Sequence, residues 1–371
     1  MILEQNKKEK ERAFLIGLAR DYRDRGAVAA SLDELRRLAF TAGAEVLGQR
    51  IQNKPKPNPA FYIGRGLVEE LKAILAESRG NCLIFDDTLN PAQQRNLEEE
   101  LQCKVIDRPI LILDIFAGRA RTAGARLQVE LAQLEYTLPR LTGAWVHFSR
   151  QYGGIGSKGP GETQLESDRR QVRSKIAQLK KRLEKLAVQR AIQRKKRNDL
   201  FKVALVGYTN AGKSTLFNIL TKAEVATADI LFTTLDSTTR VMSAGYPCKI
   251  VFSDTVGFIK KLPHQLVASF KSTLEEVSLA NLLLHVVDCT EEHYAENILQ
   301  TRQVLSEIKA DTIPCLMVYN KLDNCPHFIP PADNEYKALT VSALTGTGLS
   351  ALKSEIVATY NRIFSRQVIK K

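Results

Sequence analysis

A strand, a loop and a helix are predicted in immediate succession over residues 201–220, FKVALVGYTNAGKSTLFNIL. The apolar, branched run at 203–206 is typical of a buried strand, and Leu216 and Leu220 recur at helical spacing. Residues 207–214 fit G-x-x-x-x-G-K-[ST], a pattern whose backbone N–H groups cradle phosphates. Because this loop joins a strand to a helix, the stretch predicts a doubly wound, parallel α/β domain with a nucleotide site.

Two features after the loop predict a magnesium ion and a sensor of the terminal phosphate. Asp254 ends the apolar run KIVFS and opens a D-x-x-G that closes at Gly257. We expect the carboxylate to hold Mg²⁺ through water and the glycine amide to reach the γ-phosphate. Thr234 lies between the two motifs, where a switch threonine completes the Mg²⁺ shell with the Ser214 hydroxyl. Ser214 and Thr234 are therefore the predicted direct ligands of Mg²⁺.

An N-K-x-D motif at 320–323 predicts which base is bound. The Asp323 carboxylate can accept two hydrogen bonds from guanine N1 and N2, and adenine offers no such pair, so ATP is rejected. Asn320 is expected at the other edge of the base and Lys321 over the phosphate loop. The S-A-L tripeptide at 342–344 can present a backbone N–H to the guanine oxygen. The nucleotide is thus predicted to be GTP or GDP.

Catalysis is not assigned to one residue, because Phe258 stands after Gly257 where many GTPases place a water-orienting Gln. We therefore expect intrinsic GTP hydrolysis to be slow and to be accelerated by a partner. The candidate catalytic residues are Lys213, Thr234 and Gly257. Asn210 occupies the place where a subset of GTPases holds K⁺, which makes K⁺ a second expected cofactor. The predicted nucleotide-binding residues are Gly207, Tyr208, Thr209, Asn210, Ala211, Gly212, Lys213, Ser214, Phe232, Thr233, Thr234, Leu235, Asp236, Asp254, Thr255, Val256, Gly257, Asn320, Lys321, Leu322, Asp323, Ser342, Ala343 and Leu344.

The positive charge of the chain is concentrated in one segment. The net charge is +13, and residues 169–197 hold 13 Lys or Arg against a single acid, Glu184. A concentrated positive stripe favours a polyanion such as nucleic acid, with an acidic membrane surface second. The six cysteines are scattered and form no C-x-x-C, which is typical of a reducing compartment. The sequence shows no signal peptide and no run of about 18 apolar residues. We therefore expect a cytoplasmic protein without a membrane span.

Residues 1–110 alternate short apolar runs with amphipathic helices, as an α/β subdomain does. Strands are expected at 13–18, 45–51, 82–85 and 104–106. Ser31 with Glu34 is interpreted as a capping box, and Asn90 with Pro91 as the start of a helix ending near Leu101.

The segment 53–66 contains three prolines and places Phe61 and Tyr62 near Arg65. These aromatic side chains either stack on RNA bases or anchor the loop in the core. We favour the anchor.

Two heptad-like seams follow and predict an antiparallel helical hairpin over 111–199, ahead of a GTPase domain at 200–371. Between them, a Gly-rich tip at 153–161 is too rich in Gly and Pro to be regular. Pro139 should kink or end the first helix, and Thr163 with Glu166 should cap the second. The seams are Leu127, Leu131, Leu134, Leu138 and Leu141, then Val172, Ile176, Leu179, Leu183 and Leu186.

The basic residues of this hairpin either contact RNA or merely solvate a spacer. Like charges repel one another unless a polyanion neutralises them, so we favour RNA contact. The predicted RNA-binding residues are Lys158, Arg169, Arg170, Arg173 and Lys175.

The chain resembles the HflX GTPases of the Obg-HflX group. The likeness rests on NPAFYIGRG, FDDTLNPAQQRNLE, LILDIFAGRARTAGARLQVELAQLEYTLPRL, GGIGSKGPGETQLESDRR and GYTNAGKSTLFN, and covers roughly residues 58–345. It implies a protein, monomeric when free, that binds the large (50S) ribosomal subunit, is stimulated there, and splits stalled or idle 70S ribosomes. It also implies that the Gly-rich tip reaches 23S rRNA.

Two departures from the family pattern stand out. The chain stops 29 residues after Ser342, where many members continue into a further domain, and Ser237 replaces a common Pro. A regulatory GTPase acting through protein or membrane partners is the alternative, and a nucleotide-independent RNA-binding protein is the third hypothesis. The basic helix has a narrow apolar seam without Trp or Phe, which favours RNA over lipid.

Overall fold

The computed structural model describes residues 10–142, 160–195, 200–222, 231–232, 238–242, 249–261, 276–331 and 336–368. The chain divides into two compact units, Met1–Gly118 with Val129–Lys181, and Arg119–Gln128 with Arg182–Lys371. The predicted fold class is confirmed: parallel α/β sheets flank a helical middle region, and the second sheet carries the phosphate loop. The division into three domains at 110 and 199 stays a prediction.

A four-stranded parallel sheet in the order β2-β1-β3-β4 forms the core of the first unit. The strands are β1 (Arg12–Ala19), β2 (Glu45–Asn53), β3 (Cys82–Phe85) and β4 (Lys104–Asp107), as the apolar runs predicted. After a short 3₁₀ turn, the connecting helices are α1 (Arg25–Thr41), α2 (Arg65–Ser78), α3 (Pro91–Leu101) and α4 (Arg108–Arg119). The β3 side chains are fully buried, because helices cover parallel sheets.

One predicted helix start is confirmed and another is wrong. Asn90 caps α3 by accepting a hydrogen bond of 2.8 Å from the Gln93 N–H, and the Gln93 side-chain oxygen accepts one from the Asn90 N–H. In α1, Ser31 and Glu34 lie buried in the middle of the helix. Their side chains bond Asp86 and Arg108, so this S-x-x-E pair serves a buried polar network instead of a cap.

The proline-containing loop 53–66 is anchored in the core. Tyr62 is buried, its hydroxyl donates a 2.6 Å hydrogen bond to Asp87, and its ring lies edge-on to Phe85. Phe61 packs against the same hydrophobic cluster. Because Tyr62 is buried and Phe61 packs against the core, the anchor that we favoured is confirmed.

The middle region contains α5 (Ala123–Thr137), a 3₁₀ segment at Leu138–Thr142, and α6 (Pro160–Lys195). Pro139 lies in the 3₁₀ segment, so it ends the first helix as predicted. The start predicted at Thr163 is wrong: α6 begins at Pro160, whose fixed φ suits the first helical turn. Leu179 is buried and the rest of its seam is half-buried. Most of the Gly-rich tip, Lys158 included, lies outside the described residues.

The second unit is built on a six-stranded sheet in the order β10-β9-β8-β5-β7-β6, parallel except for β6. The strands are β5 (Phe201–Val206), β6 (Thr238–Met242), β7 (Ile250–Asp254), β8 (Leu282–Asp288), β9 (Cys315–Asn320) and β10 (Lys337–Thr340). The helices of this sheet are α7 (Lys213–Thr221), α8 (Tyr294–Glu307) and α9 (Leu349–Val368). The strand order reverses at β5, which places a crevice at its carboxyl end. Throughout the described ranges, no helix combines the length and apolarity that crossing a membrane needs.

Candidate functional site

Two glycines shape the loop between β5 and α7. Gly207 has φ +145°, and a Cβ there would lie 2.2 Å from the Val286 carbonyl oxygen. Gly212 has φ +86°, and a Cβ there would lie 2.2 Å from the amide nitrogen of Asn320. Larger residues are excluded at both positions, so the G-x-x-x-x-G spacing is dictated by the close approach of β8 and β9. Asn210 adopts the left-handed conformation with φ +62°.

Lys213 is folded back over this loop. Its Nζ donates to the carbonyl oxygens of Gly207, at 3.1 Å, and Tyr208, at 2.6 Å. Burial lowers the pKa of Lys213 to about 8, against the opposing effect of the Asp254 carboxylate. A buried ammonium whose charge is poorly stabilised is suited to an anionic ligand such as a phosphate.

The first turn of α7 and the end of β7 are joined by one hydrogen bond. Ser214 Oγ donates to Asp254 Oδ2 at 2.7 Å, and the neighbouring Thr255 hydroxyl donates to the Leu205 carbonyl at 2.6 Å. A hydroxyl and a carboxylate in contact are the hard oxygen ligands that Mg²⁺ prefers, so these residues fit that ion.

The backbone of the residue after the D-x-x-G motif is hydrogen-bonded to the phosphate loop. The Phe258 N–H donates to the Gly207 carbonyl at 3.1 Å, and the Phe258 carbonyl accepts from the Thr209 N–H at 2.8 Å. The Phe258 ring is buried among core residues that include Val206 and Leu283. Its side chain therefore lies in the core, where it cannot orient water. Val256 is buried too.

At the carboxyl end of β9, Asn320 joins three loops. Its amide nitrogen donates to the Ala211 carbonyl at 2.9 Å, and its amide oxygen accepts from the Ala343 N–H at 2.9 Å. Asp323 accepts a hydrogen bond of 2.5 Å from Ser342 Oγ. The N-K-x-D and S-A-L motifs therefore lie together, beside the phosphate loop.

Lys321 makes a contact that the sequence did not indicate. Its Nζ lies 2.6 Å from Asp288 Oδ2, and Asp288 Oδ1 accepts hydrogen bonds from the Thr290 N–H and hydroxyl. Asp288 was missed because it belongs to no named motif. The available signal was its place as the polar last residue of the apolar strand LLLHVVD, at the sheet edge that holds Asp254 and Asn320.

Only some of the remaining predicted nucleotide-binding residues lie in the ranges that the structure describes. Phe232 is buried, Leu322 is half-buried and donates its N–H to the Val341 carbonyl, and Leu344 is 79% exposed. Four predicted switch residues lie outside the described ranges: Thr233, Thr234, Leu235 and Asp236.

The sequence matches three family models in consecutive blocks. A model described as GTP-binding GTPase N-terminal matches residues 29–117, and one described as GTP-binding GTPase Middle Region matches 119–197. A model described as 50S ribosome-binding GTPase matches 202–321. Among curated proteins, GTPase HflX of Flavobacterium psychrophilum is 46% identical over 334 residues, which is 90% of this chain and 80% of that protein. The chain belongs to the HflX family.

Other members and one solved structure agree with this assignment. GTPase HflX of Escherichia coli is 47% identical over 327 residues, covering 86% of this chain and 77% of that protein. The crystal structure of SsGBP in complex with GDP is 25% identical, with a TM-score of 0.50, and covers 95% of this chain and 99% of that one. The family resemblance seen in the sequence is thereby confirmed.

Proposed function

We propose that this HflX-family chain is a GTPase that binds GTP and GDP with Mg²⁺ and associates with the large ribosomal subunit. One observation carries the nucleotide part: Asn320 bonds both Ala211 and Ala343, so the phosphate loop and both base motifs meet at one sheet edge. Four of the sequence motifs meet there, namely the phosphate loop, D-x-x-G, N-K-x-D and S-A-L, as a guanine nucleotide requires. The family models and the HflX relatives support the same function.

Each part of the nucleotide has a group suited to it. The loop amides and Lys213 suit the β- and γ-phosphates, and the Asp323 carboxylate suits guanine N1 and N2. Ser214 and Asp254 suit Mg²⁺, with Thr234 as the proposed second direct ligand. When bound, Mg²⁺ would neutralise charge that develops on the phosphates during hydrolysis. The chain's own part is to hold the phosphates in line with the attacking water and to keep the site rigid.

Asn210 is proposed as a ligand of K⁺ beside the phosphates. Its left-handed backbone belongs to the loop that surrounds the phosphates. Turnover is expected to be faster in K⁺ than in Na⁺ buffer, with the partner present. Equal turnover in the two buffers removes K⁺ from the proposal.

The proposed partner surface is the basic face of α6. Arg170 and Arg173 are exposed, and Arg169 is half-exposed. These three make no ion pair with any residue in the part of the chain that the structure describes. Lys175, by contrast, pairs with Glu130 on α5 at 2.6 Å. The arginines are therefore better placed than Lys175 to meet the phosphates of 23S rRNA.

The ribosome proposal is tested by sucrose-gradient sedimentation with 50S subunits and a non-hydrolysable GTP analogue. The protein is expected to move with 50S particles, and the R170A/R173A variant to stay nearer the top. R23A/R65A is the matched control, because it removes the same charge from exposed positions elsewhere. If the wild-type protein stays at the top, the ribosome proposal fails.

The finer proposal is that the protein dissociates stalled or idle 70S ribosomes. Incubation of 70S particles with protein and GTP analogue should raise the 30S and 50S peaks at the expense of the 70S peak. If the 70S peak is unchanged while the protein clearly binds 50S subunits, the dissociation proposal fails and the association proposal stands. Flotation with anionic vesicles, in place of 50S binding, would instead support the alternative of a membrane-acting regulatory GTPase.

A further inference from the structure

Thr209 carries a buried hydroxyl that has no hydrogen-bond partner in the part of the chain that the structure describes. The residue is 7% exposed, and its Oγ1 has no hydrogen-bond partner among the described residues. Removing a hydroxyl from water without a partner is unfavourable, so native proteins rarely keep such a group without a reason. Thr221, also buried, is the ordinary case, because its hydroxyl donates to the Phe217 carbonyl at 2.7 Å.

Thr209 lies beside two residues that are proposed to contact the terminal phosphate. A Cβ built on Gly257 would lie 2.8 Å from both Cα and Cγ2 of Thr209, and 3.0 Å from Lys213 Nζ. Thr209 therefore lies against the D-x-x-G glycine and beside the loop lysine. Its own backbone N–H is already used, because it donates to the Phe258 carbonyl at 2.8 Å. The side-chain hydroxyl is thus the polar group that this residue can offer to a ligand.

We propose that Thr209 Oγ1 donates a hydrogen bond to a terminal phosphate oxygen of bound GTP and is a catalytic residue of the hydrolysis. This rests on the proposed function, in which Gly257 and Lys213 contact the same phosphate. Water attacks the γ-phosphorus and forms a new P–O bond, and the bond from that phosphorus to the β–γ bridging oxygen breaks with its electron pair left on GDP. The water proton passes to the departing inorganic phosphate. Thr209 keeps its proton throughout, and its hydrogen bond strengthens as charge shifts on the phosphate oxygens.

The proposal also accounts for a gap in the site. Phe258 is buried in the core and offers no polar group to the reaction. The Thr209 hydroxyl, which belongs to the phosphate loop, supplies one hydrogen-bond donor to the terminal phosphate whatever residue follows Gly257.

The test compares T209V, which removes the hydroxyl at nearly constant shape, with T209S, which retains it. Single-turnover GTP hydrolysis, GDP affinity and thermal unfolding without nucleotide are measured for both. T209V should hydrolyse GTP about 10-fold to 100-fold more slowly, the range for losing one hydrogen bond to a charged oxygen. Its GDP affinity should stay within about 3-fold, because GDP lacks the γ-phosphate. T209S should stay close to wild type in rate.

T301V is the matched control, since Thr301 is also buried but its hydroxyl is bonded to the Asn297 carbonyl in α8, away from the loop. T301V should lose thermal stability and keep the wild-type rate, whereas T209V should keep or gain stability and lose rate. A T209V rate equal to wild type overturns the proposal. If the wild-type protein itself hydrolyses no GTP, with or without 50S subunits, it is the proposed function that fails.

Discussion

Asn320 and Ala211 are 109 residues apart in sequence, and a 2.9 Å hydrogen bond from the Asn320 amide to the Ala211 carbonyl joins them. The same amide group accepts from the Ala343 N–H, so one buried side chain fixes the phosphate loop against the loop after β10. The motif that selects the base is therefore also the one that holds the phosphate loop in shape.

Replacing Asn320 by Ala should weaken binding of every guanine nucleotide, because both loops lose their common support. The buried Ala211 carbonyl and Ala343 N–H lose a partner, at a cost of about 1–3 kcal/mol in unfolding free energy. Fluorescent GDP titration and urea unfolding measure the two effects. Asn324→Ala, four residues on and exposed, is the control and should change neither by more than about 0.5 kcal/mol. Wild-type GDP affinity in N320A would contradict the bridging role.

Asp323→Asn should exchange the preferred base from guanine to xanthine. The carboxylate accepts from guanine N1 and N2, whereas the Asn amide can donate to the carbonyl that xanthine carries at C2. GTP affinity should fall about 10²-fold or more, since a buried polar group is left mismatched. Competition of GTP and XTP for the site measures this, with exposed Asp311→Asn as control. Unchanged preference for GTP in D323N would remove Asp323 from base recognition.

Lys213 predicts how the stability of the nucleotide-free protein depends on pH. Burial lowers the pKa of Lys213 to about 8, whereas a lysine in an unfolded chain has a pKa of about 10.4. Between these values the unfolded state binds more protons than the folded state, so stability should rise with pH from about 8 to about 10. The stability of the Lys213→Met variant should not rise in this pH range. The contributions of all other titrating groups are common to the two proteins and cancel when the two pH profiles are compared. Unfolding in urea at pH 7.5, 8.5 and 9.5 tests it, and parallel profiles for the two proteins would contradict the assignment.

The elements that sequence reasoning placed correctly are those governed by local rules. Most strands of the two sheets follow from apolar runs, and Pro139 ends α5 because it cannot continue a helix. The strand β6, TTRVM, was missed because it is partly exposed and is not an apolar run. Side-chain contacts between residues far apart in sequence could not be predicted, because no local sequence pattern marks them. Ser31 and Glu34 have the spacing of a cap, yet they serve Asp86 and Arg108, which are more than 50 residues away in sequence. The Lys321 to Asp288 pair and the core position of Phe258 depend likewise on which strands become neighbours.

The charge pattern of α6 showed that positive residues cluster but not which of them α5 neutralises. Glu130 pairs with Lys175, and Glu135 pairs with Lys180 at 2.8 Å. Removing Lys175 should therefore weaken polyanion binding less than removing Arg173. Binding to 50S subunits at several KCl concentrations measures this, and R173A should lower the salt slope by about 1. An equal loss of slope in K175A would show that Glu130 releases Lys175 to the partner.

Arg108 should be the most sensitive charged residue of the first unit. Its side chain is 0% exposed and lies 2.6 Å from Glu34 and 2.7 Å from Asp86. Arg108→Met leaves two buried carboxylates without their counter-charge, which typically costs about 3–5 kcal/mol. Hydrogen exchange of β1 and β3 reports this unit alone, and it should accelerate strongly in R108M. Arg65→Met, 80% exposed, should leave exchange unchanged. Adding Asp86→Asn to R108M should recover part of the loss, because a neutral amide is less unfavourable there than an unpaired carboxylate.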